Sequence, residues 1–282
     1  SKCQHGFRKR RSCTSQLLEV MEDFTSFMDN KQDFDVIYMD FKKAFDSVPH
    51  ERLLVKLQGY GITGYLLQWI RSFLEGRTQK VKIGSQCSEI SNVTSGIPQG
   101  SILGPILFTI FINDLPDTIK SICKIFADDT KIYDICENCI TIQNDLDSLQ
   151  SWSKKWLSFF NNQKCKRLHH GRNNEKHEYH LENNNGIDVL PEGDQEKDLG
   201  VTFTTGLSFD NHINDIVKKA NMMLGLIKRN FLSKNGEFDE SIHMKDLEKN
   251  LENGFSPADC LINKFNSSWS QSVMPIYKEL IF

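Results

Sequence analysis

Apolar residues recur at helical spacing over residues 12–30, at Leu17, Leu18, Met21, Phe24, Phe27 and Met28, with Ser12 or Thr14 placed to cap the first turn. The pattern then changes. Phe34 to Met39 reads FDVIYM, a β-rich run that stops at Asp40. Pro49 and Gly59 bracket a helix over 50–58, and Gly64 to Phe73 predicts another. Gln79 to Ile83 and Glu89 to Thr94 read as strands, with Gly84 and Ser85 opening the turn between them. Residues 95–105, SGIPQGSILGP, hold three Gly and two Pro and predict a structured loop. It leads into an apolar helix from Ile106 to Leu115, with Pro105 in its first turn.

Ile119 to Ala127 predicts a strand, Asp128-Asp129 a tight turn and Lys131 to Ile135 a second strand. Ile140 to Phe160 is amphipathic at helical spacing. Residues 172–188, rich in Asn, Glu and His, read as an exposed loop with weak strand character. Leu199 to Phe203 is a short strand, Asn211 to Phe231 a helix, and beyond residue 232 the pattern decays. Strands and helices intermingle without strict alternation, which predicts an α+β fold.

Composition narrows the class. The hydrophobic share of 39% over 282 residues is enough for a real core. No stretch of about 18 apolar residues occurs, so no membrane partner is expected. The polar, basic N-terminus does not read as a secretory signal, and an intracellular protein is expected. The eight Cys are scattered and read as free thiols. Cys136 and Cys139 form a lone CxxC without a second pair. The cluster of Cys165, His169, His170, His177 and His180 matches no familiar zinc spacing. The formal charge of −3 offers no reason to expect a polyanion partner. That average hides three basic stretches: residues 1–11 with five basic groups and no acid, 42–82 with eight against three, and 154–176 with seven against one.

Two acidic sites stand out. Asp40 ends a β-rich run, and Asp128-Asp129 follows another. Adjacent carboxylates repel, and a cation relieves that repulsion. If the two strands lie side by side, Asp40 and Asp128 form an oxygen-rich site for a hard divalent ion. The plainer reading of Asp128-Asp129 is a polar hairpin turn. Asp46 reads as a solvated or capping residue. Trp152 and Trp156, four apart, read as core packing rather than base stacking.

Six motifs in order give these sites a context. QHGFRKRRSCTSQLL (4–18), IYMDFKKAFDSVPHERLLVKL (37–57), SGIPQGSILGPILFTIFINDLP (95–116), FADD (126–129), WSKKWLSFFNNQKCKRLHHG (152–171) and KDLGVTF (197–203) resemble the reverse transcriptase domain of non-LTR, LINE-type retrotransposons, notably the jockey-like elements. The resemblance implies a right-hand polymerase palm: a small antiparallel sheet backed by helices, with partial fingers. It implies partial fingers and the fingers-to-palm segment over 1–33, palm over 34–205, the start of a thumb-like helix over 206–231 and an atypical tail over 232–282.

The resemblance also implies roles. Asp40, Asp128 and Asp129 become the metal-binding catalytic carboxylates, with Asp129 the weakest contributor because successive strand residues point opposite ways. The Phe41 carbonyl joins them as a metal ligand. Lys164 becomes the cation near the leaving pyrophosphate. Lys43 and Ala44 lie near the triphosphate, and Phe45 sits under the incoming sugar, where it rejects a 2′-hydroxyl. Gln99 and Gly100 contact template and nucleotide, and Gly200 marks a hairpin that grips the primer. The implied cofactor is Mg²⁺ as two ions, with Mn²⁺ as an alternative, and the implied partners are an RNA template, a DNA primer and dNTPs. A nuclear site follows if the element primes on its target DNA.

The chain departs from the family in three places. Arg10 stands where the family usually has Gly. The first fingers segment would precede residue 1, and the chain does not open on Met, so a piece truncated at both ends is expected. Thumb helices are not recognisable beyond residue 232. The reading of another class is a non-catalytic remnant, or a co-opted fold that binds nucleic acid.

Overall fold

A four-stranded antiparallel sheet organises the chain. The computed structural model describes residues 1–183 and 186–231. In order, α1 spans Cys13–Asp29, β1 Phe34–Met39, α2 His50–Gly59 and α3 Gly64–Leu74; β2 Thr78–Gln79, β3 Lys82–Ile83, β4 Gln86–Cys87 and β5 Ser91–Asn92 follow. Then come α4 Leu103–Phe111, β6 Ile122–Phe126, β7 Asp129–Ile135, α5 Cys139–Trp156 and β8 Lys166–His170. β9 His180–Asn183, β10 Gly186–Val189, β11 Gln195–Asp198, β12 Val201–Thr204 and α6 Asp210–Phe231 complete the described chain. Residues 1–208 form one compact unit and 209–282 another, of which only 209–231 is described. The tail expected over 232–282 lies outside the described residues.

The sheet order is β6-β7-β1-β8. β1 is central because both its faces are apolar. Phe34 and Val36 pack with Val20 and Phe24 of α1, Tyr133 of β7 and Phe203 of β12. Ile37 and Met39 face a larger core built from Leu53 and Leu57 of α2, Phe108 and Phe111 of α4, and Leu146 and Leu149 of α5. A six-residue strand with side chains alternating between two cores has one workable register. Met39 pairs with Thr130 on one side, and Tyr38 with Lys166 on the other.

The predicted elements form with their expected types, but β8 of the central sheet and β11 were not in the sequence reading, and several boundaries move for identifiable reasons. α1 starts with a capping box in which Ser12 and Ser15 satisfy each other's backbone N–H. The 79–94 strands are a hairpin in two short pieces, β2 with β5 and β3 with β4. α4 ends at Phe111, and a 3₁₀ turn covers Leu115–Thr118. Strand β6 begins at Ile122 because the Asp145 carboxylate accepts the backbone N–H groups of Lys120 and Ser121 at 3.0 and 2.8 Å. α5 stops at Trp156, since Leu157 turns left-handed (φ 55°), and Phe160 instead pairs with Phe41. The expected 172–188 loop carries the β9–β10 hairpin.

Trp152 and Trp156 are core residues. They enclose the Lys56 ammonium, 4.5 and 3.9 Å from the ring centroids, while Lys56 donates to the Phe111 carbonyl and the Asp114 carboxylate. Cys136 of the CxxC pair and His169 of the histidine-rich cluster meet one buried carboxylate. Cys136 donates to Asp35, which also accepts from His169 at 2.7 Å and Tyr179 at 2.7 Å. Burial and Asp35 push the Cys136 thiol up to about 12.

Candidate active site

Asp40 is the first residue past β1, and its backbone is held from the far side by residues 159–165. The Asp40 N–H donates to Cys165 Sγ at 3.4 Å, and its carbonyl accepts from Asn161 N–H at 2.8 Å. Lys42 N–H donates to the Phe159 carbonyl at 2.8 Å. These bonds flank the Phe41–Phe160 bridge, so the Phe41 carbonyl is directed away from Phe160. The Phe41 ring is buried against Phe160 and Trp152.

The acidic hairpin tip differs from its sequence reading by one position. Phe126 pairs with Asp129, so Ala127 and Asp128 are the two turn residues and Asp129 opens β7. Ala127 takes the left-handed conformation (φ 54°) that such two-residue turns favour. Alternation along β7 then puts Asp129 on the face of Lys131, and Tyr38 pairs with Lys131. Asp40, two residues after Tyr38, continues that face.

The three carboxylates are close enough to act on one another's charge. Burial and then Asp40 raise the Asp128 carboxyl, against a backbone hydrogen bond that lowers it. Loss of solvent, then Asp128, Asp198 and Asp40, push the Asp129 carboxyl up to about 6, against the pull of Lys131. Asp40 Oδ2 is buried without a hydrogen-bond partner, and the Lys164 ammonium lies 3.7 Å from it. Among the described residues, no three His, Cys, Asp or Glu side chains are gathered closely enough to ligate one ion by themselves. The unpartnered Asp40 Oδ2, with the Asp128 carboxylate near enough to feel its charge, offers oxygen donors of the kind a hard divalent ion takes.

The other expected residues surround this edge. Lys43 is exposed and left-handed (φ 50°), and its carbonyl accepts from the N–H groups of Asp46 and Ser47. Ala44 is buried. Phe45 is half-buried, stacked on Phe108 with ring centroids 4.3 Å apart. Its carbonyl accepts Ile97 N–H at 2.8 Å, which ties the 95–105 loop to the segment after Asp40. Gly96 has no room for a side chain, because a Cβ would lie 2.6 Å from the Asp46 carbonyl oxygen. Gly100 is exposed with φ 82°, and Gln99 donates to Asp46 Oδ1 at 2.9 Å. Asp46 is exposed, as expected, and is also the partner of Gln99.

Sequence reasoning also missed Gln4. Residues 3–5 run along the free edge of β6, with His5 N–H donating to the Ile125 carbonyl at 2.8 Å and Ile125 N–H to the Cys3 carbonyl at 2.9 Å. This places the Gln4 amide on the Ala127 backbone. An amide-bearing side chain in a short motif before a Gly was the available signal.

The basic stretches are only partly free for a ligand. Arg71 pairs with Glu51 and Glu75, Lys154 with Glu182, Lys166 with Glu196 and Lys176 with Glu192. Lys42, Lys43, Arg52, Lys80, Lys82, Lys155 and Arg172 stay exposed.

Comparison with known proteins places this arrangement. The chain is 30% identical over 249 residues to the RNA-directed DNA polymerase from mobile element jockey of Drosophila melanogaster, covering 82% of this chain and 27% of that protein. It is 29% identical over 228 residues to the probable RNA-directed DNA polymerase from transposon X-element of the same fly, covering 76% of this chain and 24% of that protein. The chain thus spans about a quarter of these relatives. Among solved structures, an apo telomerase from Candida tropicalis truncated from its C-terminal domain superposes with a TM-score of 0.52 at 14% identity. That match covers 74% of this chain and 40% of that one, and it shows a shared polymerase fold. The family profile described as "Reverse transcriptase (RNA-dependent DNA polymerase)" matches residues 1–203, and the chain belongs to that family.

Proposed function

We propose that this chain is the reverse transcriptase domain of a non-LTR retrotransposon, extending a DNA primer with dNTPs on an RNA template. The observation that carries this reading is that the paired strands β1 and β7 bring Asp40 and the Asp128-Asp129 tip to one end of the sheet, with Asp40 Oδ2 buried and without a hydrogen-bond partner. Residues 34–205 act as the palm, 1–33 as partial fingers and 206–231 as the start of the thumb.

In this proposal Asp40, Asp128 and the Phe41 carbonyl hold two Mg²⁺ ions, and Asp129 supplies further negative charge. Bound there, Mg²⁺ would supply Lewis acidity toward the primer 3′-hydroxyl and positive charge against the departing pyrophosphate. The chain's own groups position the reactants. Lys43 and Ala44 offer backbone N–H groups to the triphosphate. The half-buried Phe45 ring, backed by Phe108, forms a rigid floor that a 2′-hydroxyl would strike. Gln99 and Gly100 meet the templating pair, with Gln99 oriented by Asp46. Lys164, within 3.7 Å of Asp40, can donate a proton to the leaving pyrophosphate or stabilise its charge. Base pairing sets the sequence copied, so protein contacts fall on backbone and shape.

Extension of a DNA primer annealed to RNA, by the purified chain in Mg²⁺ or Mn²⁺, tests the proposal. Templated extension supports it. Absence of extension in both metals, with the primer–template still bound, would instead identify a nucleic-acid-binding remnant.

A further inference from the structure

We infer that Gln4 is a positioning residue for Asp128, fixing the turn that presents this carboxylate. The inference rests on the reading of Asp128 as a metal-binding group. Gln4 is 2% exposed, on a segment remote in sequence from the hairpin. Its Oε1 accepts Ala127 N–H at 2.9 Å, and its Nε2 donates to the Ala127 carbonyl at 3.3 Å. The same Oε1 accepts Gly6 N–H at 2.7 Å, which fixes the amide's orientation. One side-chain amide thus pairs with both backbone groups of the residue just before Asp128, as a neighbouring strand would.

Ala127 needs that support. It is buried and left-handed without being glycine, a conformation an L-residue adopts only when its surroundings hold it there. Without Gln4, its N–H and carbonyl would lack these partners in a buried place, and the turn would relax toward water or a less strained backbone. Asp128 is the next residue, so that movement transfers directly to its carboxylate. Gly6 seals the contact from the other side: a Cβ there would fall on the Ala127 backbone nitrogen. His5, buried beside Gln4, ties the segment to α1 through Ser15 at 3.3 Å and Glu19 at 3.3 Å.

The test is Mn²⁺ binding to the full chain, read from the loss of the free-ion electron paramagnetic resonance signal, with thermal unfolding in EDTA as a separate readout. Gln4→Met keeps the volume and removes the amide. It is expected to bind Mn²⁺ about 10–100-fold more weakly, the usual cost of losing a group that orients a metal ligand. Gly6→Ala, which pushes on Ala127 and leaves the Gln4 amide in place, is expected to weaken binding in the same direction. In an Asp128→Ala background, Gln4→Met should add nothing further. Wild-type Mn²⁺ affinity in Gln4→Met, or an undiminished effect in the Asp128→Ala background, would overturn the inference. So would failure of both single variants to fold, since that would make Gln4 a residue of the fold and not of the turn. Wild-type affinity in Asp128→Ala alone would reject the site reading itself, a separate result.

Discussion

Lys131 and Asp198 form an ion pair with only 2% and 4% of their side chains exposed. Lys131 lies two residues after Asp129 on β7, and Asp198 ends β11 at the Leu199-Gly200 turn, so the pair fastens the KDLG hairpin to the strand bearing the acidic tip. Removing one partner strands the other charge away from water. Asp198→Ala or Lys131→Ala is expected to destabilise the chain by about 3–5 kcal/mol in urea denaturation. The paired replacement Lys131→Met with Asp198→Leu should recover much of that loss. Equal destabilisation by single and paired replacements would show that packing, not charge, holds the hairpin.

Arg10 has φ 64° and an exposed side chain. The left-handed conformation costs a non-glycine residue about 1–2 kcal/mol, part of which glycine returns as extra freedom in the unfolded chain. Arg10→Gly should therefore stabilise the chain by about 0.5–1 kcal/mol. A lower unfolding midpoint in the variant would contradict this.

His170 stacks flat on Phe34, with centroids 4.5 Å apart, and its Nδ1 lies 3.0 Å from the Thr205 carbonyl, placing a proton on that nitrogen. Burial lowers its pKa to about 4, against the hydrogen bond to Thr205 and the charge of Asp35, and with a small push from His169. The unfolded chain takes up this proton near pH 6.5 and the folded chain does not. Stability from this group is present above about 6.5 and is lost as pH falls toward 4. His170→Phe should flatten the unfolding free energy between those pH values. An unchanged pH slope would place the proton elsewhere.

Phe45 offers one ring face to Phe108 and is only half-buried. As the floor under the sugar, its truncation in Phe45→Ala should raise ribonucleotide incorporation relative to deoxynucleotide by at least about tenfold, the scale on which a steric pocket discriminates. Unchanged discrimination would return Phe45 to the core alone.

Much of this was legible in the sequence because local signals and packing agree. The six-residue run ending at Asp40 alternates between two cores, and Pro and Gly punctuate the 95–105 loop where the chain does turn. Boundaries failed where a distant group decides them. Nothing near Ile119 announces that Asp145 takes its neighbours' backbone N–H groups, and Leu157 carries no glycine-like signal for a left-handed end. The carboxylates were legible as residue types at strand ends. Their supports, Gln4 under Ala127 and Asp46 beside Gln99, were not, because each acts through a hydrogen bond that spans many residues. Charge counting overstated the 154–176 stretch for the same reason: Lys154, Lys166 and Lys176 meet Glu182, Glu196 and Glu192, all outside the counted window.

The proposed mechanism requires Asp40 and Asp128 jointly for nucleotidyl transfer. Single-nucleotide addition to a DNA primer on an RNA template, measured for the wild-type chain, Asp40→Asn and Asp128→Asn at saturating Mg²⁺, tests it most directly. Each variant keeps the shape and removes the charge, and each should slow addition at least about a hundredfold with primer–template affinity retained. Addition at the wild-type rate by either variant would show that its carboxylate is not part of the catalytic site.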